Sequence, residues 1–287
     1  MQTNTLHCGD NLKIMQQMPD ASIDLICTDP PFCSQRDYGA FNDKWDDGLN
    51  GYLKFMRPRI EQMHRLLKDT GSLYLHCDPS ASHYLKVMLD EVFGRKNFRN
   101  EIVWSYTGRQ IAGAPHNHFY NAHDIVLLFI KTNKAVFHPQ FMGLTERMIE
   151  ERERGYHSQG KSLCVLDANK PAAQARIKSG NYETIRYMKE PNKGKSVSDM
   201  WFTNPLTSTA NERNGYPTQK PETLYQRMIQ ASSNEGDLVL DPFCGSGTTC
   251  VAANNLGRYY IGIDQNPDAI EIAESRLAQL NLFTAAQ

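Results

Sequence analysis

The chain has 287 residues, 40% of them hydrophobic, and a net charge of -1, enough for one substantial core with an inserted lobe. Its longest apolar block, 125–130, falls far short of the roughly 18 residues a membrane helix needs, and the polar N-terminus has no signal-like core, so a cytoplasmic protein is expected. Seven cysteines (Cys8, Cys27, Cys33, Cys77, Cys164, Cys244, Cys250), odd in number and never in a C-x-x-C pair, argue against a disulfide framework or a zinc site.

Short apolar runs at 5–8, 23–28, 72–77, 101–106, 125–130, 238–241 and 259–264 read as strands. Helical spacing predicts helices over 11–18, 51–67, 80–93, 221–232, 248–256 and 267–280. Strands alternating with helices at both ends of the chain predict an α/β fold, a parallel sheet covered on both faces. Several of these strands are nearly continuous apolar runs, as strands buried on both faces should be. The middle differs. Segment 135–215 is polar and charged, with 146–154 reading as an exposed helix, and is expected to be an insertion between a half at 1–134 and a half at 216–287.

Charge follows the same division. Residues 1–94 carry 9 Lys and Arg against 13 Asp and Glu, 221–287 carry 3 against 8, and 95–220 carry 19 against 11. A polyanion such as DNA would be met by the basic middle, although an uneven solvated surface gives the same count. His116, His118 and His123 lack a carboxylate or thiolate partner in a recognised pattern, so no metal is expected.

Two motifs carry chemistry. Asp29-Pro30-Pro31-Phe32 follows the apolar strand at 23–28. Consecutive prolines stiffen the backbone and remove two donors, leaving outward carbonyls beside a carboxylate and a flat ring. Such a cluster suits a planar ring bearing an amino group, although a plain strand-ending turn has the same string. The second motif, Leu238 to Thr249, runs from a buried strand through Asp241, Phe243, Gly245, Ser246 and Gly247 into a helix at Thr248. Its glycines let the backbone approach a small molecule at the helix N-terminus. It lacks the third glycine of a dinucleotide fingerprint and the lysine of a phosphate loop. Asp264 ends the next strand, where an acidic residue would accept ribose hydroxyls.

Together the motifs resemble the amino-methyltransferases of DNA, and their order, tetrapeptide first and glycine turn last, resembles the permuted β class. The resemblance covers nearly all the chain outside 135–215. It implies a Rossmann-like, circularly permuted S-adenosylmethionine-dependent methyltransferase sheet with an inserted target-recognition region. Asp29, Pro30, Pro31 and Phe32 would be catalytic. Asp241, Phe243, Gly245, Ser246, Gly247, Thr248 and Asp264 would hold the cofactor. Asp10 would lie near its adenine, or cap the following helix, or do both, and Lys220 of Thr218-Gln219-Lys220-Pro221 would meet its methionine carboxylate. Arg36, Arg109, Lys193 and Lys195 are candidate contacts to DNA. Cys33 is expected to be incidental, because methyl transfer needs no covalent enzyme intermediate.

In this family Asp at the first tetrapeptide position goes with adenine N6 and Ser with cytosine N4, so the resemblance implies adenine, with cytosine as the alternative; Phe32 in place of the commoner Tyr keeps only the stacking face. A DNA-binding regulator with a vestigial pocket would need broken motifs, and a glutamine methylase would carry Asn at position 29. A homodimer and a separately encoded endonuclease are further expectations from the resemblance.

Overall fold

The computed structural model describes residues 2–106, 117, 119, 121–180, 182–187, 195–203, 205–206, 210 and 212–285. Its elements in chain order are β1 (Thr5–Cys8), α1 (Asn11–Gln17), β2 (Ile23–Thr28), α2 (Gly48–Leu66), β3 (Leu67–Cys77), α3 (Pro79–Leu89), β4 (Phe98–Ser105) and β5 (His123–Ile130). After these come α4 (Glu146–Arg154), β6 (Tyr156–Gln159), β7 (Ser162–Val165), α5 (Pro171–Lys178), β8 (Thr184–Tyr187) and β9 (Met200–Phe202). The last are α6 (Glu222–Ser232), β10 (Leu238–Asp241), α7 (Thr248–Asn255), β11 (Tyr259–Asp264) and α8 (Pro267–Ala285). They fall into two compact units, one of 1–138 with 199–287 and one of Pro139–Ser198.

The larger unit is built on an eight-stranded sheet in the order β1-β11-β10-β2-β3-β5-β4-β9. The first five strands are parallel; β5 runs antiparallel to β3 and to β4, and β9 is parallel to β4. The expected α/β sheet is therefore present, but mixed at one side. Leu73, Leu75 and Cys77 of β3 join Met15 of α1, Met56, Ile60 and Met63 of α2 and Leu85 of α3 in one buried core. Side chains alternate across a strand, so Tyr74 points the other way, and its hydroxyl pairs with Ser232 of α6 at 2.8 Å. His76, in phase with Tyr74, lies on the α6 face.

Local chemistry sets the helix starts. Asp10 caps α1 through Leu12 N and Lys13 N (2.8 and 3.2 Å), and Asp78 caps α3 through Ser80 N (3.0 Å), with Pro79 in the first turn. Strand β3 begins earlier than the apolar run suggested, because polar 68–70 extend it past a register shift and Leu67 pairs with Ile23. The ends of the chain meet in the sheet: β1 pairs with β11 in parallel, and α8 packs against β1.

The smaller unit holds a three-stranded sheet, β6-β7-β8, with β6 antiparallel and β8 parallel to β7. Leu163, Val165 and Ala173 form its small interior. Helix α4 buries none of its residues, matching the exposed helix read from 146–154. The polar flanks gave no sign of these strands. Residues Met200–Phe202, inside the segment read as an insertion, form a strand of the large sheet.

Candidate active site

Strand β2 is buried along its core positions and delivers Asp29 at its carboxyl end. Strand β10 lies beside it in parallel, with Val239 opposite Leu25 and Leu240 opposite Ile26, so the turn after Asp241 emerges at the same sheet edge. Open α/β sheets bind ligands outside the carboxyl ends of such neighbouring strands. Here the two motifs share one cleft with about 1040 Å³ of open space. All four residues of the tetrapeptide line it, and so do the nine residues assigned to the cofactor apart from Gly247.

The Asp29 carboxylate is held from both sides. Lys220 Nζ donates to Oδ2 at 2.5 Å and lies 4.8 Å from the centre of the Phe32 ring. His76 Nδ1 lies 3.0 Å from Oδ1, off the line that a good hydrogen bond needs, so the contact is mainly one of charge. Burial pushes the Asp29 carboxyl up, but Lys220 and His76 outweigh it and lower it to about 2. His76 is itself sandwiched: Nε2 lies 3.3 Å from Asp124 Oδ2, and Tyr106 donates to Asp124 Oδ1 at 3.0 Å. The Phe32 and Trp104 rings meet the imidazole edge to face at 5.1 and 5.5 Å. Burial pulls the imidazole down, yet the two carboxylates raise it overall.

The loop after the tetrapeptide is anchored by Asp43, a buried carboxylate that accepts from Cys33 N, Ser34 N and Trp45 Nε1 at 2.9, 2.7 and 3.0 Å. Cys33 and Gln35 both take left-handed backbone, an uncommon state for residues with a Cβ. That bend directly follows Phe32.

The glycine turn is fixed by its own carboxylates. Asp241 accepts from Thr249 Oγ1 (2.6 Å) and Phe243 N (3.0 Å), which turns it into the turn itself; burial raises it to about 7. Asp264 accepts from Gly245 N and Asn266 N, both at 2.9 Å, and keeps further lone pairs for a ligand; burial raises it too. Gly247 has φ +79°, and a Cβ there would stand 2.7 Å from that of Ala273, so only glycine lets α7 start so close to α8. Beyond capping α1, Asp10 meets Arg59 Nη2 at 3.4 Å, while Arg59 stacks 3.4 Å over Phe55 and donates to Asn11.

These features fit a nucleoside with an amino-acid tail: Phe243 offers a flat face, Asp264 and Asp10 offer acceptors, and Lys220 offers a cation. Lys220 stands on the carboxylate of Asp29, whereas the resemblance implies that it meets a carboxylate of the cofactor. Arg36 lies in the exposed loop, outside the cleft lining, and its carbonyl accepts from Asp43 N. Lys195 is exposed in the smaller unit. Arg109, Lys193, His116 and His118 lie outside the described residues. Among the described residues no cluster could hold a metal, and the seven cysteines are free thiols. His76, Asp124 and Asp43 escaped the sequence reading. The available signal was a histidine inside an apolar strand and an aspartate beside the next one.

A family model described as DNA methylase, of the N6/N4 methyltransferases, matches residues 23–275. The chain belongs to this family, as a DNA methyltransferase dependent on S-adenosylmethionine. It is 49% identical to the Type II methyltransferase M2.DpnII of Streptococcus pneumoniae, over 95% of this chain and 89% of that protein. To M.HpaI of Haemophilus parainfluenzae, another Type II methyltransferase, it is 34% identical over 95% and 73%. The DNA adenine methyltransferase YhdJ of Escherichia coli (strain K12) is 28% identical over 100% and 86%. Two solved structures share the fold: the cytosine-N4-specific PvuII DNA methyltransferase (TM-score 0.63, 16% identity, 96% and 86% covered) and M1.HpyAVI bound to SAM (0.59, 20%, 95% and 98%). No helix of the described residues is long and apolar enough to cross a membrane.

Proposed function

We propose that this enzyme methylates the N6 amino group of adenine in a base flipped out of the DNA duplex. The observation that carries the reading is the ionised carboxylate of Asp29, set beside the Phe32 ring and one strand away from the glycine turn. An adenine amino nitrogen is a poor nucleophile because its lone pair is drawn into the ring. Asp29 and the Pro30 carbonyl accept its two hydrogens, favour a pyramidal nitrogen, and stabilise the positive charge that develops there. The surplus proton leaves along the bond to Asp29. Phe32 stacks on the extruded base and offsets the cost of unstacking, a few kcal/mol.

S-adenosylmethionine, when bound, supplies a methyl group on a positively charged sulfur. Phe243 and Asp10 would flank its adenine, and Asp264 would accept from its ribose. Asp241, Gly245, Ser246, Gly247 and Thr248 form the turn that holds it. Lys220 would give up Asp29 Oδ2 most readily to an amine donating there if the cofactor's carboxylate, an anion, drew it away.

The segment 135–215, with Arg36, Arg109, Lys193 and Lys195, would meet the DNA backbone and read the target. The Type II names of the relatives support a separately encoded endonuclease, and the absence of a long apolar helix among the described residues fits a cytoplasmic enzyme. A homodimer is expected, and light scattering measures it.

Mass spectrometry of nucleosides from DNA treated with the enzyme tests the target. N6-methyladenine is expected; N4-methylcytosine with unmodified adenine would replace this reading by the cytosine alternative. Long-read sequencing of DNA from cells expressing the chain then gives the recognition sequence. A protein that binds DNA without affinity for S-adenosylmethionine would instead be a regulator.

A further inference from the structure

Asp29 has two oxygens and two basic neighbours, and the neighbours differ in freedom. Lys220, on Oδ2, sits at the end of a flexible stem with 12% of its side chain exposed. His76, on Oδ1, has 1% exposed and is wedged between the Phe32 and Trp104 rings, with Asp124 behind it and Tyr106 behind Asp124. Of the two, Lys220 is therefore the one that a target amine would displace, and His76 the one that would stay. Once Lys220 has gone, a carboxylate buried at the foot of the cleft would lose its ionised form unless another positive charge remained beside it.

We propose that His76, set between Asp29 and Asp124, is a positioning residue that supplies the standing positive charge of Asp29 beside its buried Oδ1, so that Oδ2 alone is offered to the target amine. This inference rests on the reading of Asp29 as the acceptor of that amine. Among the described residues, the charged groups that face the imidazole are Asp29 at the end of β2, Asp124 on β5 and Lys220 in the segment before α6; Trp104 on β4 and Phe32 present rings. With Lys220 and a protonated His76 both in place the cluster would be neutral, two carboxylates against an ammonium and an imidazolium. Departure of Lys220 leaves it one unit negative, which suits a nitrogen that becomes positive as it is methylated. Asp124 serves as the second anchor of the ring, since a histidine between two carboxylates retains its proton better than one beside a single carboxylate.

The test has two parts. In the unliganded full chain carrying ¹³C-carboxyl aspartate, the Asp29 resonance is assigned by its loss in Asp29→Asn and titrated by NMR. In Lys220→Met it should remain ionised well into acid. In Lys220→Met/His76→Gln it should take up its proton at a hydrogen-ion concentration at least about tenfold lower. Equal titrations in the two variants would overturn the proposal. Methyl transfer by the wild type, His76→Gln and Asp124→Asn is then followed against pH. His76→Gln should lose on the order of 10²-fold in kcat with cofactor affinity unchanged, and Asp124→Asn should bring the alkaline loss of activity to lower pH. An unmoved alkaline limb in Asp124→Asn would overturn it, and decides the matter should His76→Gln fail to fold. A wild type that transfers no methyl would end the functional reading instead, and the NMR titration would still judge His76.

Discussion

Lys220 Nζ lies 2.5 Å from Asp29 Oδ2, although 191 residues separate the two in the chain. The ammonium occupies a place where a target amine would donate. The contact joins the Asp29-Pro30-Pro31-Phe32 segment to the segment leading into α6.

Replacement of Asp29 by Ala removes the acceptor and leaves the glycine turn untouched. Methyl transfer should fall by about 10³-fold or more, with affinity for S-adenosylmethionine retained. Isothermal titration beside a radiolabel transfer assay separates the two effects, and a loss of cofactor affinity would show that Asp29 has another role.

Lys220→Met should alter the response of stability to acid. The folded Asp29 carboxyl is lowered to about 2 from an ordinary 3.8 by Lys220 and then His76, so these contacts together stabilise the fold above about pH 4 and that contribution, of which Lys220 supplies a part, is lost as pH falls through 2. Its size at neutral pH is on the order of 2 kcal/mol. Urea unfolding at pH 7 and pH 3 should show a smaller loss on acidification in the variant than in the wild type.

Asp43→Ala would orphan three donors, the amides of Cys33 and Ser34 and the indole N–H of Trp45. Hydrogen bonds to a charged acceptor are worth roughly 1.5–3 kcal/mol each. The left-handed bend at Cys33 should relax and re-aim Phe32. A lower Tm and a kcat reduced by about 10²-fold are expected, with kcat falling further than cofactor affinity.

Gly247→Ala combines an unfavourable φ with a Cβ placed 2.7 Å from that of Ala273. A destabilisation of about 2–3 kcal/mol is expected, from strain and overpacking between α7 and α8. Thermal unfolding gives the number, and a neutral effect would mean that the two helices can part without cost.

Much of the fold was legible because burial leaves a local trace. The strands at 23–28, 238–241 and 259–264 stand in the structure as read, since a strand covered on both faces is apolar along most of its length; the edge strand at 5–8 stands as read although none of its residues is buried. Strands β6, β7 and β8 left no such trace. They are short, and much of their surface is polar and faces water.

By itself the sequence determined the two motifs, the carboxyl ends of strands on which they sit, and hence the chemistry they offer, because rigid proline carbonyls and glycine turns are properties of a few consecutive residues. Only the tertiary structure decided what charges Asp29. Lys220, His76 and Asp124 come from three distant segments, and the ionisation of a buried carboxylate depends on distances of a few ångströms to those charges, which separation along the chain does not encode.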